Sequence, residues 1–293
     1  MSVEKTIRPR RSALYMPGAN LRALDKARTL DADCLILDLE DAVAPVAKQT
    51  ARTQICDALT AGSYGARELV VRVNALDTPW GGDDITALAA LPESARPHVV
   101  LAPKISTPEQ VDAVAKLLPA EMALWIMIET PLAIFNLQAL AACSRNGPLS
   151  GFALGTNDLA KDMHAPLRDG RANMQTALSL SVLAARAYGL VILDGVYIDI
   201  ANQDGLAAEC RAAADMGFDG KTLIHPSQLA ICNEVFAPSA AAIEEAEAIV
   251  AAFDAPENQG KGVVTVNGKM SEYLHRDMAR RVLAIAAAIE ARR

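Results

Sequence analysis

The sequence predicts a (β/α)₈ TIM barrel followed by a C-terminal helical extension. Short apolar, β-branched runs alternate with Ala- and Leu-rich amphipathic stretches along most of the 293 residues. This alternation is typical of parallel strands joined by crossover helices. Eight such strand–helix units precede residue 237, which is the content of a typical barrel of ~250 residues. A doubly wound open sheet is the alternative, but no GxGxxG or P-loop pattern follows any strand.

The predicted strands are apolar runs that end in polar or special residues. In chain order they are SALYMPG from Ser12, CLILDLE from Cys34, ELVVRVN from Glu68, HVVLAPK from His98, ALWIMIE from Ala123, SGFALGT from Ser150, GLVILDG from Gly189 and FDGKTLI from Phe218. Helix-length segments such as TPEQVDAVAKLL and DGLAAECRAAADMG lie between them. Thr107 is a predicted N-cap before Pro108, and Gly189 and Gly217 mark predicted helix ends.

The alternation stops after the eighth strand. Ser239 to Phe253 predicts one helix, VVTVNGKM predicts a short hairpin, and Ser271 to Arg293 predicts a final helix. We therefore divide the chain into a barrel domain over residues 1–236 and an extension over residues 237–293. We expect the extension to make oligomer contacts.

Composition narrows the classes of function. The net charge is −7, with 28 basic and 35 acidic residues, so no basic stripe is available for nucleic acid. The segment MSVEKTIRPRRS has no apolar core of a secretory signal, and Glu129 interrupts the best candidate membrane stretch, ALWIMIETPLAIF. The five cysteines are scattered, as is typical of reduced thiols in a reducing compartment. We therefore expect a cytoplasmic protein that binds neither nucleic acid nor membranes.

Polar side chains close the predicted strands at their carboxyl ends. They are Asp38, Glu40, Asp41, Arg72, Asn74, Lys104, Glu129, Asp158, Asp194 and His225. In a barrel these ends meet at one mouth, where active sites are built from several strands. We expect the functional residues among this set, although each one alone is also typical of the solvated start of a loop.

Two of these carboxylates suit a metal ion. Glu129 ends the fifth strand, and Asp158 follows the sixth in GTNDLA. Neighbouring strands lie ~4.8 Å apart, so the two side chains can share one cation. Oxygen ligands completed by water suit Mg²⁺ or Mn²⁺, whereas zinc favours clusters of His and Cys, which are absent here. The alternative is that Asp158 caps the following helix.

Seven segments carry a family resemblance. They are RSALYMPG, LILDLEDAV, VVRVN, APK, IMIETP, GTNDLAKD and GFDGKTLIHPSQ. In this order they resemble the citrate lyase beta-subunit family, which includes malyl-CoA and citramalyl-CoA lyases and related metal-dependent aldolases. The resemblance implies a TIM barrel, dependence on Mg²⁺, and reversible carbon–carbon cleavage of a 3-hydroxyacyl thioester. Malyl, citramalyl and citryl thioesters of CoA or an acyl-carrier protein are such substrates, and the products are an acyl thioester and a 2-keto acid.

The resemblance also implies roles for individual residues. Glu129 and Asp158 hold the metal in this scheme, and Arg72 binds the substrate oxygens. In the family an Asp stands two positions after GKM and reaches a neighbouring subunit's site as an acid/base, and Glu272 occupies that place here. Glu272 is therefore a predicted catalytic residue, or else an ordinary residue at a helix N-terminus. Sites shared between subunits predict a homo-oligomer, specifically a trimer.

The residue types suit this chemistry. A guanidinium at Arg72 stabilises the enolate that forms as the carbon–carbon bond breaks, and it does not titrate. Arg72, Lys104 and Glu129 are the predicted substrate contacts, although Lys104 is alternatively a neutralising charge in the acidic mouth. Glu40 and Asp41 are predicted to position Arg72 or a water of the metal from behind, unless they merely begin a loop.

The sequence thus predicts an Mg²⁺-dependent carbon–carbon lyase that acts on an acyl thioester. One alternative is a class II-type aldolase that acts on a free 2-keto acid without CoA. Another is a non-catalytic barrel subunit of a lyase complex, which the presence of Arg72, Glu129 and Asp158 disfavours. Hydrolysis of the thioester after cleavage is a further activity that these residues leave open.

Overall fold

The computed structural model describes residues 7–292. The strands are β1 (Ser12–Pro17), β2 (Cys34–Asp38), β3 (Glu68–Arg72), β4 (Val99–Ala102), β5 (Ala123–Ile128), β6 (Leu149–Leu154), β7 (Val191–Asp194), β8 (Gly220–Leu223), β9 (Val263–Val266) and β10 (Lys269–Glu272). The α-helices are α1 (Leu21–Ala27), α2 (Lys48–Ala61), α3 (Gly81–Ala89), α4 (Pro108–Ala115), α5 (Pro131–Phe135), α6 (Leu137–Ala142), α7 (Thr156–Asp162), α8 (Gln175–Ala187), α9 (Gln203–Met216), α10 (Leu229–Val235), α11 (Ala240–Asp254) and α12 (Tyr273–Glu290).

Strands β1 to β8 form a closed barrel in chain order, and each pairs in parallel with its neighbour. The barrel closes where Ser12 of β1 pairs with Lys221 of β8. The predicted (β/α)₈ architecture is confirmed. Local signals also hold: Thr107 precedes α4 as its N-cap, and Gly217 ends α9 in the left-handed conformation with φ +96°.

Alternate strand residues fill the barrel interior. The buried inward cluster consists of Ala13, Cys34, Ile36, Val70, Val99, Leu101, Trp125, Met127, Ala153 and Leu193. Side chains along a strand point alternately to opposite faces. Residues two positions apart on a strand therefore point the same way. Ile36, Val70 and Met127 point inward, so the residues two positions later, which are Asp38, Arg72 and Glu129, also point inward. The register of β2, β3 and β5 thus delivers these three polar side chains to the carboxyl end of the barrel.

The chain divides into two compact units. One is Arg10–Asn233, which contains the barrel, and the other comprises the described residues from Glu234 onward together with those before Arg10. Our division at residue 236 into a barrel domain and a C-terminal extension stays a prediction.

The second unit contains α11, the antiparallel β9–β10 hairpin and α12. Phe253 packs with Val264 and Val266, and its ring stacks on Tyr273 at a centroid distance of 5.4 Å. The final helix begins at Tyr273 rather than at the predicted Ser271, because residues 271 and 272 still pair in the hairpin. Within residues 7–292, no helix combines the length and apolarity that a membrane crossing requires.

Candidate active site

Arg72 is held in the barrel mouth by two neighbours. Its Nε and Nη2 each donate to one oxygen of Asp38 at 2.7 Å, which makes a bidentate pair. The ring of Tyr15 lies against the same guanidinium, with its centroid 4.7 Å from Cζ. Burial opposes the charge of Arg72, but Tyr15, Asp38 and Glu40 raise its pKa well above the ordinary value. Arg72 is therefore a permanently charged and immobilised group.

The remaining nitrogen of Arg72, Nη1, faces the acidic loop (residues 38–41). It lies 2.6 Å from Glu40 Oε2 and 3.5 Å from Asp41 Oδ2. Glu40 is buried whereas Asp41 is exposed. Burial raises the pKa of Glu40 to about 8, although Arg72 acts in the opposite direction. Both residues thus contact Arg72 as the sequence suggested, and their roles stay predictions.

The backbone of the acidic loop is fixed by two side chains: Lys48, which we did not predict, and Asp38, which belongs to the polar set at the strand ends. The ammonium of Lys48 donates to the carbonyl oxygens of Leu39 at 2.8 Å and Glu40 at 2.7 Å. Asp38 Oδ1 also accepts from the backbone N–H of Glu40 at 2.9 Å. The inward register of β2 points to Asp38, but nothing local to Lys48 indicates its role, since it lies on α2.

The predicted metal ligands converge on Lys104. Its backbone N–H donates to Glu129 Oε1 at 2.6 Å, and its Nζ lies 3.5 Å from the same oxygen. The same Nζ lies 2.8 Å from Asp158 Oδ1. Lys104 adopts φ +57°, a left-handed conformation that is uncommon for a residue with a side chain. The ammonium therefore lies between the two carboxylates, and its single positive charge offsets one of their two negative charges.

Glu129 and Asp158 fit a magnesium ion. The side chain of Glu129 is fully buried, and its Oε2 accepts no hydrogen bond, an arrangement that is costly unless a cation approaches that oxygen. Burial raises the pKa of Glu129, which Lys104 partly offsets. Asp158 lies in the first turn of α7, and Gly155 rather than Asp158 is its N-cap. The alternative capping role of Asp158 is thus wrong.

The protein supplies few metal ligands of its own. Among residues 7–292, no group of three or more His, Cys, Asp or Glu side chains is arranged to hold a metal ion. Two carboxylates, with water and substrate in the other octahedral positions, are the usual way in which proteins bind Mg²⁺. The ammonium of Lys104 occupies Oδ1 of Asp158 in this structure, so a cation that binds that oxygen has to displace it.

Two of the polar residues at strand ends serve the fold. Asn74 Nδ2 donates to Asp84 Oδ2 at 2.6 Å, and this pair anchors the start of α3. His225 is exposed, and its Nδ1 accepts from the backbone N–H of Ser227 at 3.2 Å, so it caps a 3₁₀ turn. Neither side chain contacts Arg72, Lys104 or the metal pair.

Asp194 faces away from the barrel interior. It accepts from Lys221 Nζ at 2.7 Å and from Arg171 Nη1 at 2.6 Å. Lys221 also donates to Glu209 of α9 at 2.6 Å. Burial alone would raise the pKa of Asp194, but Lys221 and Arg171 outweigh it and lower the pKa. Asp194 therefore belongs to a buried ionic cluster between the barrel and α9, and among the strand-end polar residues it does not join Arg72 and Glu129.

Glu272 belongs to the second unit. It is the last residue of β10 and the N-cap of α12, and its backbone N–H donates to His275 Nδ1 at 2.9 Å. This local setting suits a helix cap. The acid/base role that the resemblance implies for Glu272 requires a neighbouring subunit, and it stays a prediction.

Comparison with known proteins agrees with this geometry. The HpcH/HpaI aldolase/citrate lyase family matches residues 11–226, and the C–C bond lyase family of the TIM-barrel fold matches residues 173–289. The (3S)-malyl-CoA thioesterase of Cereibacter sphaeroides is 50% identical over 97% of this chain and 96% of that protein. Citrate lyase subunit beta of Escherichia coli is 34% identical over 97% of this chain and 95% of that protein.

A solved structure extends the comparison. The protein CitE from Mycobacterium tuberculosis, in complex with magnesium, acetoacetate and coenzyme A, superposes with a TM-score of 0.76 at 28% identity. The match covers 95% of this chain and 98% of that one. The barrel, the motifs and the relatives agree, and this chain belongs to the HpcH/HpaI aldolase/citrate lyase family of carbon–carbon lyases.

Proposed function

We propose that this chain, with Mg²⁺, cleaves a carbon–carbon bond in a 3-hydroxyacyl-CoA of the malyl type and releases an acyl-CoA and a 2-keto acid. The proposal depends on one observation: a fixed guanidinium, Arg72, shares the barrel mouth with two carboxylates, Glu129 and Asp158, that fit a cation. Support comes from the relative that binds magnesium, acetoacetate and coenzyme A.

Different residues of the mouth act on the two ends of the substrate: Arg72 on the thioester, and Glu129 and Asp158, through the cation, on the hydroxyl end. When bound, Mg²⁺ lowers the pKa of a chelated hydroxyl and polarises the oxygens beside it. Arg72 presents Nη1 to the thioester oxygen, where negative charge develops as the acyl part becomes an enolate. Asp38 and Tyr15 fix the guanidinium before substrate arrives, so little reorganisation accompanies the reaction. Glu129 and Asp158 would hold the cation, and Lys104 contacts both carboxylates when no cation is bound.

A second candidate is net hydrolysis of the same thioester to a 3-hydroxy acid and free CoA. The observation that favours it is the 50% identity to (3S)-malyl-CoA thioesterase over 97% of this chain. Hydrolysis also needs a positive group at the thioester oxygen, so Arg72 serves either reaction. The two candidates share a substrate and differ in the bond that breaks.

A product assay separates them. Purified protein with Mg²⁺ is incubated with malyl-, citramalyl- and citryl-CoA, and with a free 4-hydroxy-2-keto acid in parallel. Keto acid is measured as its phenylhydrazone, thiol with Ellman's reagent, and acyl-CoA by mass spectrometry. The proposed lyase forms keto acid and acyl-CoA in equal amounts without thiol, whereas direct hydrolysis forms thiol without keto acid.

Keto acid together with thiol indicates cleavage followed by hydrolysis, and two other outcomes contradict both candidates. Turnover of the free keto acid alone supports the class II-type aldolase, and no turnover of any compound supports a non-catalytic subunit. Treatment with EDTA should abolish turnover, and added Mg²⁺ should restore it. Activity that persists in EDTA removes the metal from the proposal.

A further inference from the structure

Glu40 has an unusual setting in the mouth. Its side chain is 11% exposed, and Arg72 Nη1 lies 2.6 Å from its Oε2, yet that oxygen accepts no hydrogen bond. The Nη1 group donates instead toward Asp41 Oδ2 at 3.5 Å and Met127 Sδ at 3.9 Å. Glu40 therefore forms a buried ion pair with Arg72 through an oxygen that accepts no hydrogen bond.

Glu40 also differs from the other two acidic residues of the loop in how its negative charge is compensated. Asp38 takes both Nε and Nη2 of Arg72. The side chain of Asp41 is 66% exposed, so water stabilises its charge. The ammonium of Lys48 bonds to backbone carbonyls of the loop rather than to a carboxylate. Of the three acidic side chains, Glu40 is thus the one that is buried and yet pairs with a single nitrogen of Arg72.

We propose that Glu40 is the proton-transferring group of this mouth, an inference that rests on the proposed function. Ionised Glu40 removes the proton from the 3-hydroxyl group of the substrate. The adjacent carbon–carbon bond breaks, a keto group forms, and the electron pair of the bond enters the acyl thioester as an enolate beside Arg72. Glu40 then returns the same proton to the enolate carbon, which yields the acyl-CoA and regenerates the carboxylate.

The position of Glu40 suits this role. A substrate oxygen bound to Nη1 of Arg72 lies next to Glu40, because that nitrogen and Oε2 are 2.6 Å apart. Lys48 and Asp38 fix the backbone at residue 40, and the contact with Arg72 positions the carboxyl group. A proton-transferring group works best when its pKa is close to the working pH, and burial raises that of Glu40 to about 8.

Several charged and titratable groups face Glu40 and set this value. They are Arg72, Asp38, Asp41, Lys48, Lys104, Glu129 and Tyr15. Burial raises the pKa most, Arg72 and Lys104 lower it, and Asp41 and Glu129 raise it further. A cation bound at Glu129 would offset one of these negative charges, so the pKa of Glu40 should fall when Mg²⁺ is added.

The first test observes the proton without any substrate. Protein labelled with ¹³C at the glutamate carboxyl carbons is titrated by NMR in the absence of metal. We expect one carboxyl signal with a midpoint near pH 8, which moves to lower pH when Mg²⁺ is added. The signal should be missing in Glu40→Gln and retained in Glu272→Gln and in Glu245→Gln, a matched control at an exposed glutamate.

The second test measures turnover against pH. Glu40→Gln should lower kcat by about 10²–10⁴-fold with little change in KM, and it should remove the acidic limb of the profile. Glu40→Asp keeps a carboxyl group and should recover part of kcat, whereas Glu245→Gln should match the parent protein. If Glu40→Gln does not fold, the pH profile of Glu40→Asp, with its altered limb, takes its place.

The results separate this inference from the proposed function. A signal near pH 8 that survives Glu40→Gln, or an unchanged kcat in that variant, overturns the assignment. Loss of kcat and of the acidic limb in Glu272→Gln alone assigns proton transfer to Glu272 instead. Failure to turn over any thioester refutes the proposed function, while the NMR titration still reports whether Glu40 holds a proton.

Discussion

Gly155 leaves the space that the carboxylate of Glu129 occupies. A Cβ atom at residue 155 would lie 2.4 Å from the Glu129 Cβ and 2.5 Å from its Oε2. The two residues sit side by side because the backbone N–H of Gly155 donates to the carbonyl of Ile128 at 3.0 Å. The position of this Glu129 oxygen thus depends on the absence of a side chain at residue 155, which lies between β6 and α7.

We predict that Gly155→Ala weakens magnesium binding at least tenfold, because the added methyl group must displace the Glu129 carboxylate. Overpacking of this kind also costs about 1–3 kcal/mol in the free energy of unfolding. Calorimetric titration and thermal melting measure the two effects. Gly82→Ala is the control, since a Cβ there meets nothing within 4 Å. Unchanged affinity in Gly155→Ala would show that the position of Glu129 does not matter for the metal.

Lys104 should compete with the metal. Its Nζ lies 2.8 Å from Asp158 Oδ1 and 3.5 Å from Glu129 Oε1, so Lys104→Met removes a resident positive charge from both ligands. We expect the affinity for Mg²⁺ to rise roughly tenfold, or ~1.4 kcal/mol, in calorimetric titrations without substrate. Asp158→Asn should change the affinity in the opposite direction. A lower affinity in Lys104→Met would mean that the ammonium supports the site rather than competing for it.

Arg72→Lys should separate catalysis from folding. The lysine keeps the charge but loses the bidentate pair with Asp38, so the melting temperature should fall modestly. Turnover should fall by about 10²–10³-fold, as when an oxyanion donor is lost. Both quantities are measured on one preparation, with kcat taken well below the melting temperature. A decrease in kcat of less than tenfold in the folded variant would exclude Arg72 as the enolate-stabilising group.

The buried ionic cluster around Asp194 should contribute to the free energy of unfolding and not to catalysis. Lys221→Met leaves buried Asp194 with Arg171 as its remaining cationic partner, and breaking such a pair costs about 3–5 kcal/mol. Lys269→Met removes an exposed pair at 3.8 Å and should change the free energy of unfolding by less than about 1 kcal/mol. Denaturant unfolding measures both, and equal effects would contradict the burial argument.

The pH dependence of that cluster has a definite sign. The pKa of Asp194 is lowered below 3.8 in the folded state. Its contribution to stability is therefore complete above the unfolded-state value and is lost as the pH falls through the folded-state value. The difference in free energy of unfolding between the parent protein and Lys221→Met should accordingly become smaller below about pH 4. A difference that stays constant down to pH 2 would show that the effect of Lys221→Met on stability does not come from the charge of Asp194.

Assembly tests the proposed role of Glu272. We predict a homotrimer, three times the 31.0 kDa mass of the chain, by light scattering at micromolar concentration. If Glu272 acts across subunits, mixing Glu272→Gln with Arg72→Lys protein should restore part of the activity, because some mouths then combine intact residues. A 31.0 kDa monomer, or no recovery on mixing, would rule out a shared site.

The sequence alone determines the order of elements in this protein. The alternation of apolar runs and amphipathic segments specifies eight parallel strands, because the hydrophobic periodicity of a strand or a helix is a local property of the chain. The same runs place Arg72, Glu129 and Asp158 at strand ends, and barrel geometry brings such ends together. The helix–hairpin–helix order after β8 is equally visible, because turn residues and periodicity are local signals.

Only the tertiary structure decides which way a strand-end side chain points. CLILD of β2 and VILD of β7 end alike, yet Asp38 pairs with Arg72 inside the mouth and Asp194 pairs with Lys221 outside the barrel. Ile36 and Leu193 both belong to the inward cluster, so Asp38 follows its inward neighbour by two residues and Asp194 by one. Side chains alternate along a strand, so a shift of one residue exchanges the two faces. That shift is set by packing against neighbouring strands and helices, which no local pattern records.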